Sequence, residues 1–301
     1  VLTLNYFHRI TPDDYRVLLH HLIQTDHIQL TEKGGLIVGL AGERVINSFK
    51  FYGVFQESEE YTVRSESQEL GTVVAPPPPG EKIALAGHVW RVLEVDRKRH
   101  LIYCEMVKGK VPAYFGECPG DLHTKVLKRM RQVLREDTLY PYLMKNAVSR
   151  LTQARCTATQ SGAADENLIF LGGKMWCFIP WLGTYGFLAM ERFLRLKCGD
   201  KLGLKNLDPF RPFFMQFTME ADAPTFYAVL REEGEKLNNP MDLVYPNEVP
   251  LFDKYDEYLP EELVKKGFAY GVLRMDEVKD FCRSLSAEKA RPAELVDGAP
   301  S

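Results

Sequence analysis

Val89-Trp90-Arg91-Val92-Leu93-Glu94-Val95, then Arg97-Lys98-Arg99-His100, then Leu101-Ile102-Tyr103-Cys104-Glu105-Met106: two apolar-rich runs of strand length flank a basic turn. Side chains of a strand alternate between two faces, so such runs read as paired strands with one face buried. Shorter runs of the same character precede them, Tyr61–Arg64, Leu70–Val74 and Lys82–Leu85, separated by turn-rich segments that include Pro76-Pro77-Pro78-Pro79-Gly80. Five short strands in about fifty residues predict a small antiparallel β-barrel over residues 56–118. The four prolines read as a stiff surface connection, ahead of a polyproline ligand.

Upstream, Thr11-Pro12-Asp13-Asp14 supplies an N-cap and a first-turn proline before Tyr15, Val17, Leu18, Leu19, Leu22 and Ile23, which predicts a helix to about Thr25. His27–Leu40 then reads as strand, Gly34-Gly35 turn, strand. A helix followed by a hairpin is the ending of a winged helix-turn-helix, assigned to residues 1–55. The chain starts at Val1 rather than Met, inside an apolar strand-like run, which is the expectation for the remnant of a longer protein.

Downstream, residues 119–285 read as a mixed α/β domain. Leu122, Val126, Leu127, Met130, Val133 and Leu134 share one face of a predicted helix, with Lys125, Lys128, Arg129, Arg131 and Arg135 as a basic outer stripe. A second helix is expected from Tyr142 to about Thr157, a hairpin across Gly172-Gly173, a helix over Tyr185–Lys197 and a strand over Phe213–Met219. A helix over Pro224–Leu237 capped by Asp222 and two closing helices, Pro260–Leu273 and Met275–Leu285, follow. Residues 286–301 lack periodicity and read as a loose tail. The fold class is therefore α+β: the end of a winged helix, a small antiparallel β-barrel, then a mixed helix/strand domain.

The 301 residues are 45% hydrophobic and 26% charged, with no apolar run long enough for a membrane helix. Six cysteines, none in a Cys-x-x-Cys pair, predict free thiols, a cytoplasmic location and no zinc site. The net charge of −3 hides an asymmetry. Lys82–Arg155 holds fifteen Lys/Arg against seven Asp/Glu, a balance of +8, and Asp208–Ser301 holds eleven against nineteen, a balance of −8. A polyanion is drawn to the middle of the chain and repelled by its end.

No G-x-x-x-x-G-K-[ST] loop occurs: Gly109-Lys110 is followed by Val111 and Gly173-Lys174 by Met175, so neither offers the magnesium-binding hydroxyl. There is no G-x-S-x-G elbow and no H-E-x-x-H pair. His20-His21 diverge by about 100° on a helix, a poor metal chelate. Paired acids such as Asp13-Asp14, Glu232-Glu233 and Glu261-Glu262 fall at helix starts or on polar faces, so no catalytic or metal residue is assigned. Basic residues interleaved with aromatics carry the chemical signal, because charges hold phosphates and rings stack on bases. The candidate nucleic-acid-binding residues are Arg91, Arg97, Lys98 and Arg99 in the strand pair, Lys33 in the N-terminal hairpin, and Lys125, Lys128 and Arg129 on the basic helix. Tyr114, in a loop between Pro112 and Gly116, and Trp181, at a strand-to-helix junction whose backbone N–H groups are suited to phosphate, complete the set. Packing roles stand beside binding roles for both rings.

Gly42-Glu43, Phe51-Tyr52-Gly53-Val54-Phe55, Leu70-Gly71-Thr72-Val73, Ala86-Gly87-His88-Val89-Trp90-Arg91-Val92 and Val111-Pro112-Ala113-Tyr114-Phe115-Gly116-Glu117 follow one another in an order that resembles the C-terminal region of Lhr-type large helicase-related proteins. These are superfamily 2 DEAD/DEAH-type ATP-dependent helicases. Phe252–Leu263 resembles their closing segment, and the likeness spans about residues 10–285. It implies RecA-like motor domains in the same parent chain, which bind ATP and magnesium, and a partner that is single-stranded DNA or RNA. This region would then guide the strand, work in a setting such as DNA repair, and be inactive alone. One departure stands out: the family commonly has Pro-x-Trp-x-Gly where this chain has Pro112-Ala113-Tyr114-Phe115-Gly116, a smaller stacking surface. Two other readings remain open, a free-standing winged-helix/β-barrel DNA glycosylase-like protein and a non-catalytic protein-interaction scaffold.

Overall fold

Asp14 begins the structure's first helix by closing a ring of hydrogen bonds: its carboxylate accepts from the Thr11 backbone N–H at 2.8 Å, and Thr11 Oγ1 accepts from the Asp14 N–H at 3.1 Å. With Pro12 at the first helical position, this capping box starts α1, Pro12–Gln24, where the spacing predicts it. The computed structural model describes residues 9–53, 60–65, 68–73, 79–80, 82–96, 99–108 and 121–288. The chain is α+β and divides into two compact units, Val1–Gly42 with Asp121–Ser301, and Glu43–Gly120.

In the larger unit α1 leads into a hairpin of β1, Ile28–Leu30, and β2, Leu36–Val38, turning at Gly34, whose φ of +79° favours glycine. Helix α2, Leu40–Ile46, follows. No residue of α1 is fully buried. Polar contacts attach it to the C-terminal helix α9, Glu261–Gly271: Lys266 to Asp14 at 2.5 Å and Arg9 Nη1 to the Tyr270 carbonyl at 2.9 Å.

The body of this unit is a four-stranded antiparallel sheet, ordered β10-β11-β9-β8, made from β8, Leu168–Gly172, β9, Met175–Phe178, β10, Lys205–Phe210, and β11, Phe214–Thr218. Helix α6, Thr184–Phe193, a π-turn over Leu194–Cys198, and α7, Gly199–Leu202, join β9 to β10, while α8, Ala223–Lys236, and α10, Met275–Glu288, close the layer. Phe178, Phe187, Phe193, Phe217, Phe226, Met190 and Met215 fill the core. Each fully buried side chain of this size contributes about 1.5–3 kcal/mol. The Asp222 cap of α8 is present, Oδ1 accepting from the Thr225 N–H at 2.9 Å. Strand β10 was not expected from sequence: Lys205-Asn206-Leu207-Asp208-Pro209-Phe210 shows no clear alternation, and Pro209 argues against a strand. It is tolerated because β10 is an edge, where a missing N–H leaves no ladder bond broken.

The smaller unit carries α3, Phe49–Tyr52, and five strands: β3, Tyr61–Ser65, β4, Gln68–Val73, β5, Lys82–Leu85, β6, His88–Asp96, and β7, Leu101–Met106. Their order is β4-β3-β7-β6-β5, curled into a half-barrel around Val63, Ile83, Trp90, Val92, Ile102 and Cys104. Trp90 belongs to this core, its Nε1 donating to the Leu85 carbonyl at 2.8 Å. The sheet is not antiparallel throughout, because β3 and β7 pair in parallel. Strands that alternate in direction around a ring of five, an odd number, must leave one adjacent pair parallel, and here it is the first with the last. The remaining gap lies between β4 and β5, where a Cβ built on Gly71 would lie 3.8 Å from Leu85 Cδ1. Residues 74–78, with most of the proline run, lie outside the described residues.

Candidate nucleic-acid interface

Helix α4, Thr124–Arg135, and helix α5, Lys145–Gln160, form a pair in the larger unit. His123 Nδ1 caps α4 by accepting from the Lys125 N–H at 3.1 Å. Leu127 buries the inner side of α4, while Val126 and Met130 stay exposed, so only part of the predicted apolar face is covered.

The basic stripe divides into two sets. Arg131 and Arg135 each donate Nε to the Ala164 carbonyl at 2.8 Å and Nη2 to the Asp165 carbonyl, at 2.7 and 3.3 Å. These carbonyls follow the end of α5, so the two arginines clamp one helix to the next. Arg155, on α5, returns the grip by donating Nε to the Val133 carbonyl at 2.8 Å and Nη2 to the Thr138 carbonyl at 3.1 Å. Arg131 and Arg135 are therefore engaged in holding the helix pair, although Arg135 stays 44% exposed beside the Asp165 carboxylate at 3.0 Å. Lys125 and Lys128 are exposed and have no partner among the described residues.

Arg129 is held between these sets. It grips Glu136 through Nη2 at 2.8 Å and Nη1 at 3.1 Å, and its Nη2 reaches the Tyr140 hydroxyl at 3.0 Å. The Arg129 hydrogen bond keeps the Glu136 carboxyl below its ordinary range, and the bond Tyr140 donates to Glu136 raises that phenol. Tyr140 so fixed supports Tyr142: their rings stack with centroids 5.5 Å apart and planes 23° apart, and Tyr142 is 77% exposed. Sequence reading missed this pair. The second helix, expected from Tyr142, begins at Lys145, because Pro141 starts a turn, so Tyr140-Pro141-Tyr142 falls in the connection, the same proline-flanked aromatic that singled out Tyr114.

Of its two readings, packing or binding, Trp181 takes packing. It is 6% exposed, with the Arg131 guanidinium 5.8 Å from its ring centroid. Its Nε1 is buried and finds no partner among the described residues. The junction's N–H groups are also taken: Gly183 donates to Thr124 Oγ1 at 2.8 Å and Thr184 to the Leu122 carbonyl at 2.9 Å. The start of α4 occupies the place a phosphate would need.

The remaining candidates are dispersed. Lys33 is exposed in the β1–β2 turn. In the smaller unit Arg91 pairs across strands with Glu105 at 3.2 Å, and Arg99, exposed in the turn, sits 3.9 Å from Asp96. Arg97, Lys98 and Tyr114 lie outside the described residues. Lys174, in the β8–β9 turn, pairs with Glu220 and precedes no hydroxyl, so that turn does not fit a nucleotide phosphate with its magnesium. Among the described residues no cluster of three or more His, Cys, Asp or Glu could hold a metal, and no helix is long and apolar enough to cross a membrane. What the α4–α5 segment can do is bind: two ammonium groups without partners among the described residues and a supported ring offer phosphate and base contacts. Comparison with protein-family models, curated proteins and solved structures found no match to this chain.

Proposed function

We propose that this chain is a nucleic-acid-binding region of an ATP-dependent DNA or RNA helicase of the Lhr type, guiding a single strand while RecA-like motor domains elsewhere in the parent chain hydrolyse ATP. The observation that carries the reading is Tyr142, exposed and stacked on Tyr140, which Arg129 ties to α4, the helix that also carries the exposed Lys125 and Lys128, without a partner among the described residues. A strand laid along this face would rest a base on the Tyr142 ring and phosphates on the two lysines. The α1–hairpin segment serves in this reading as the end of a winged helix, and the curled five-stranded sheet as the small barrel. ATP and magnesium belong to the motor, since the chain contains no loop to hold them.

Fluorescence anisotropy with a labelled oligothymidylate and a matched oligouridylate tests the reading and reports any DNA or RNA preference. Binding should weaken steeply with salt, and the double variant Lys125→Ala/Lys128→Ala should reduce the slope of log K against log salt by about 1.4, roughly 0.7 for each phosphate contact on a single strand. Purified protein should turn over no ATP. Affinity indifferent to salt would overturn the reading.

A further inference from the structure

Helix α6 lies in the core of the larger unit, yet it carries Glu191, whose side chain is 7% exposed. A carboxylate so placed requires compensation. Arg195, one turn along the helix, donates Nε to Glu191 Oε1 at 3.3 Å, and Arg211, from the β10–β11 turn, donates Nε and Nη2 to Oε2 at 3.1 and 2.7 Å. One arginine would neutralise the carboxylate, so the trio retains a charge of +1. The neighbouring Arg192 is committed elsewhere: it grips Glu248 with both terminal nitrogens at 2.6 Å and packs between the rings of Tyr245 and Phe268, 4.8 Å from each centroid.

The donor count shows what is left over. A guanidinium has about five N–H groups. Arg211 spends two on Glu191; Arg195 spends one there and one on the Leu207 carbonyl at 2.7 Å. Three remain on each, in side chains that are 38% exposed for Arg195 and 53% for Arg211. Both groups are held from behind by one buried carboxylate, so their free edges are fixed before any ligand arrives. Rigid, paired guanidinium forks match the spacing of phosphate oxygens, and fixing them in advance removes the ordering cost that two flexible side chains would incur.

We propose that Arg195 and Arg211 form a phosphate seat that takes a backbone phosphate of the guided strand, an assignment that rests on the single-strand reading above. Arg211 belongs to the C-terminal stretch whose balance along the sequence is −8, so the proposed phosphate contact there is made by a fixed fork rather than by an excess of basic sequence.

The test compares Arg211→Gln, which keeps an N–H for Glu191, with Arg211→Lys, which keeps the charge without the fork, and with Arg231→Gln, a cation change in the same acidic stretch. In oligothymidylate titrations Arg211→Gln should weaken binding about five- to tenfold at low salt and lower the salt slope by about 0.7. Arg211→Lys should keep the slope and lose part of the affinity, and Arg231→Gln should change neither. Equal losses for Arg211→Gln and Arg231→Gln, or a lowered melting temperature with unchanged affinity for Arg211→Gln, overturn the seat. Arginine Nε–H signals read in NMR with inorganic pyrophosphate separate the two claims. If wild-type protein binds no strand, the single-strand reading fails, and the absence of shifts at Arg195 and Arg211 removes the seat as well. If strand binding depends on Lys125 and Lys128 but not on Arg211, the seat fails alone.

Discussion

Tyr142 offers its ring to solvent because Pro141 before it disfavours helix at that point, while Tyr140, bonded to Glu136 and Arg129, supports the ring from one side. Replacing Tyr142 by Ala should cost about 1–3 kcal/mol of strand affinity, and Phe should retain most of it, read by anisotropy. The melting temperature should hardly move, since the ring is exposed. Trp181 should behave in the opposite way. Its ring is core, so Trp181→Ala should destabilise by about 3–5 kcal/mol in urea titration, and the protein that remains folded should bind strand as wild type does. Normal stability with lost binding would return Trp181 to the surface role. The two rings show the limit of residue type as a guide: a Trp between Pro180 and Leu182 and a Tyr after Pro141 look equally available in sequence. What separates them is tertiary, the Leu122 and Thr124 groups that fill the junction beside Trp181 and the Glu136–Arg129 pair that supports Tyr140.

Among the elements, those announced by local chemistry were the legible ones. The Thr11–Asp14 box, the Asp222 cap, the Gly172-Gly173 turn and the strand pair around residues 89–106 all depend on residues a few positions apart, and each appears where sequence places it. Long-range partners were not legible: β10 is defined by its neighbour β11, and Arg131 and Arg135 by carbonyls some thirty positions away. Removing that clamp with Arg131→Ala/Arg135→Ala strips the buried Ala164 carbonyl of both donors, at about 1–3 kcal/mol for a buried acceptor left unsatisfied, while the exposed Asp165 carbonyl turns to water. The loss should appear as faster amide hydrogen exchange in α4 and α5, with β8–β11 unchanged. The attachment of α1 to α9 carries a pH signature. The hydrogen bond from Lys266, ahead of those from Thr11, holds the Asp14 carboxyl at about 2, below the ordinary carboxylate value. A depressed folded-state value means that the contact stabilises above the unfolded value, about 3.9, and is lost as the pH falls from there toward 2. Exchange protection in α1 should therefore drop across that window, and Asp14→Asn should lower it at neutral pH while flattening its dependence on acid.

At the scale of the whole molecule, each unit has its own core, one around Phe178, Phe193 and Phe226 and the other around Val63, Val92 and Ile102. Calorimetry should resolve two transitions, with Ile102→Ala lowering one and Phe226→Ala the other; a single transition displaced by both variants would show that the units melt together. The larger unit is also discontinuous in sequence, with Glu43–Gly120 inserted between its two parts. That ordering becomes a matter of time on the ribosome. Strands β3 to β7 are consecutive and can close on one another soon after they emerge, whereas α1 precedes its partner α9 by more than two hundred residues. At about 5–20 residues per second, α1 waits roughly 10–50 s for the helix that holds it. Throughout that interval Leu30, Leu36 and Ile37 of the adjoining hairpin, which remain exposed even in the finished fold, are open to chaperones. Newly made protein should for that reason depend on chaperones through the β1–β2 hairpin, although Leu30, Leu36 and Ile37 stay outside the finished core.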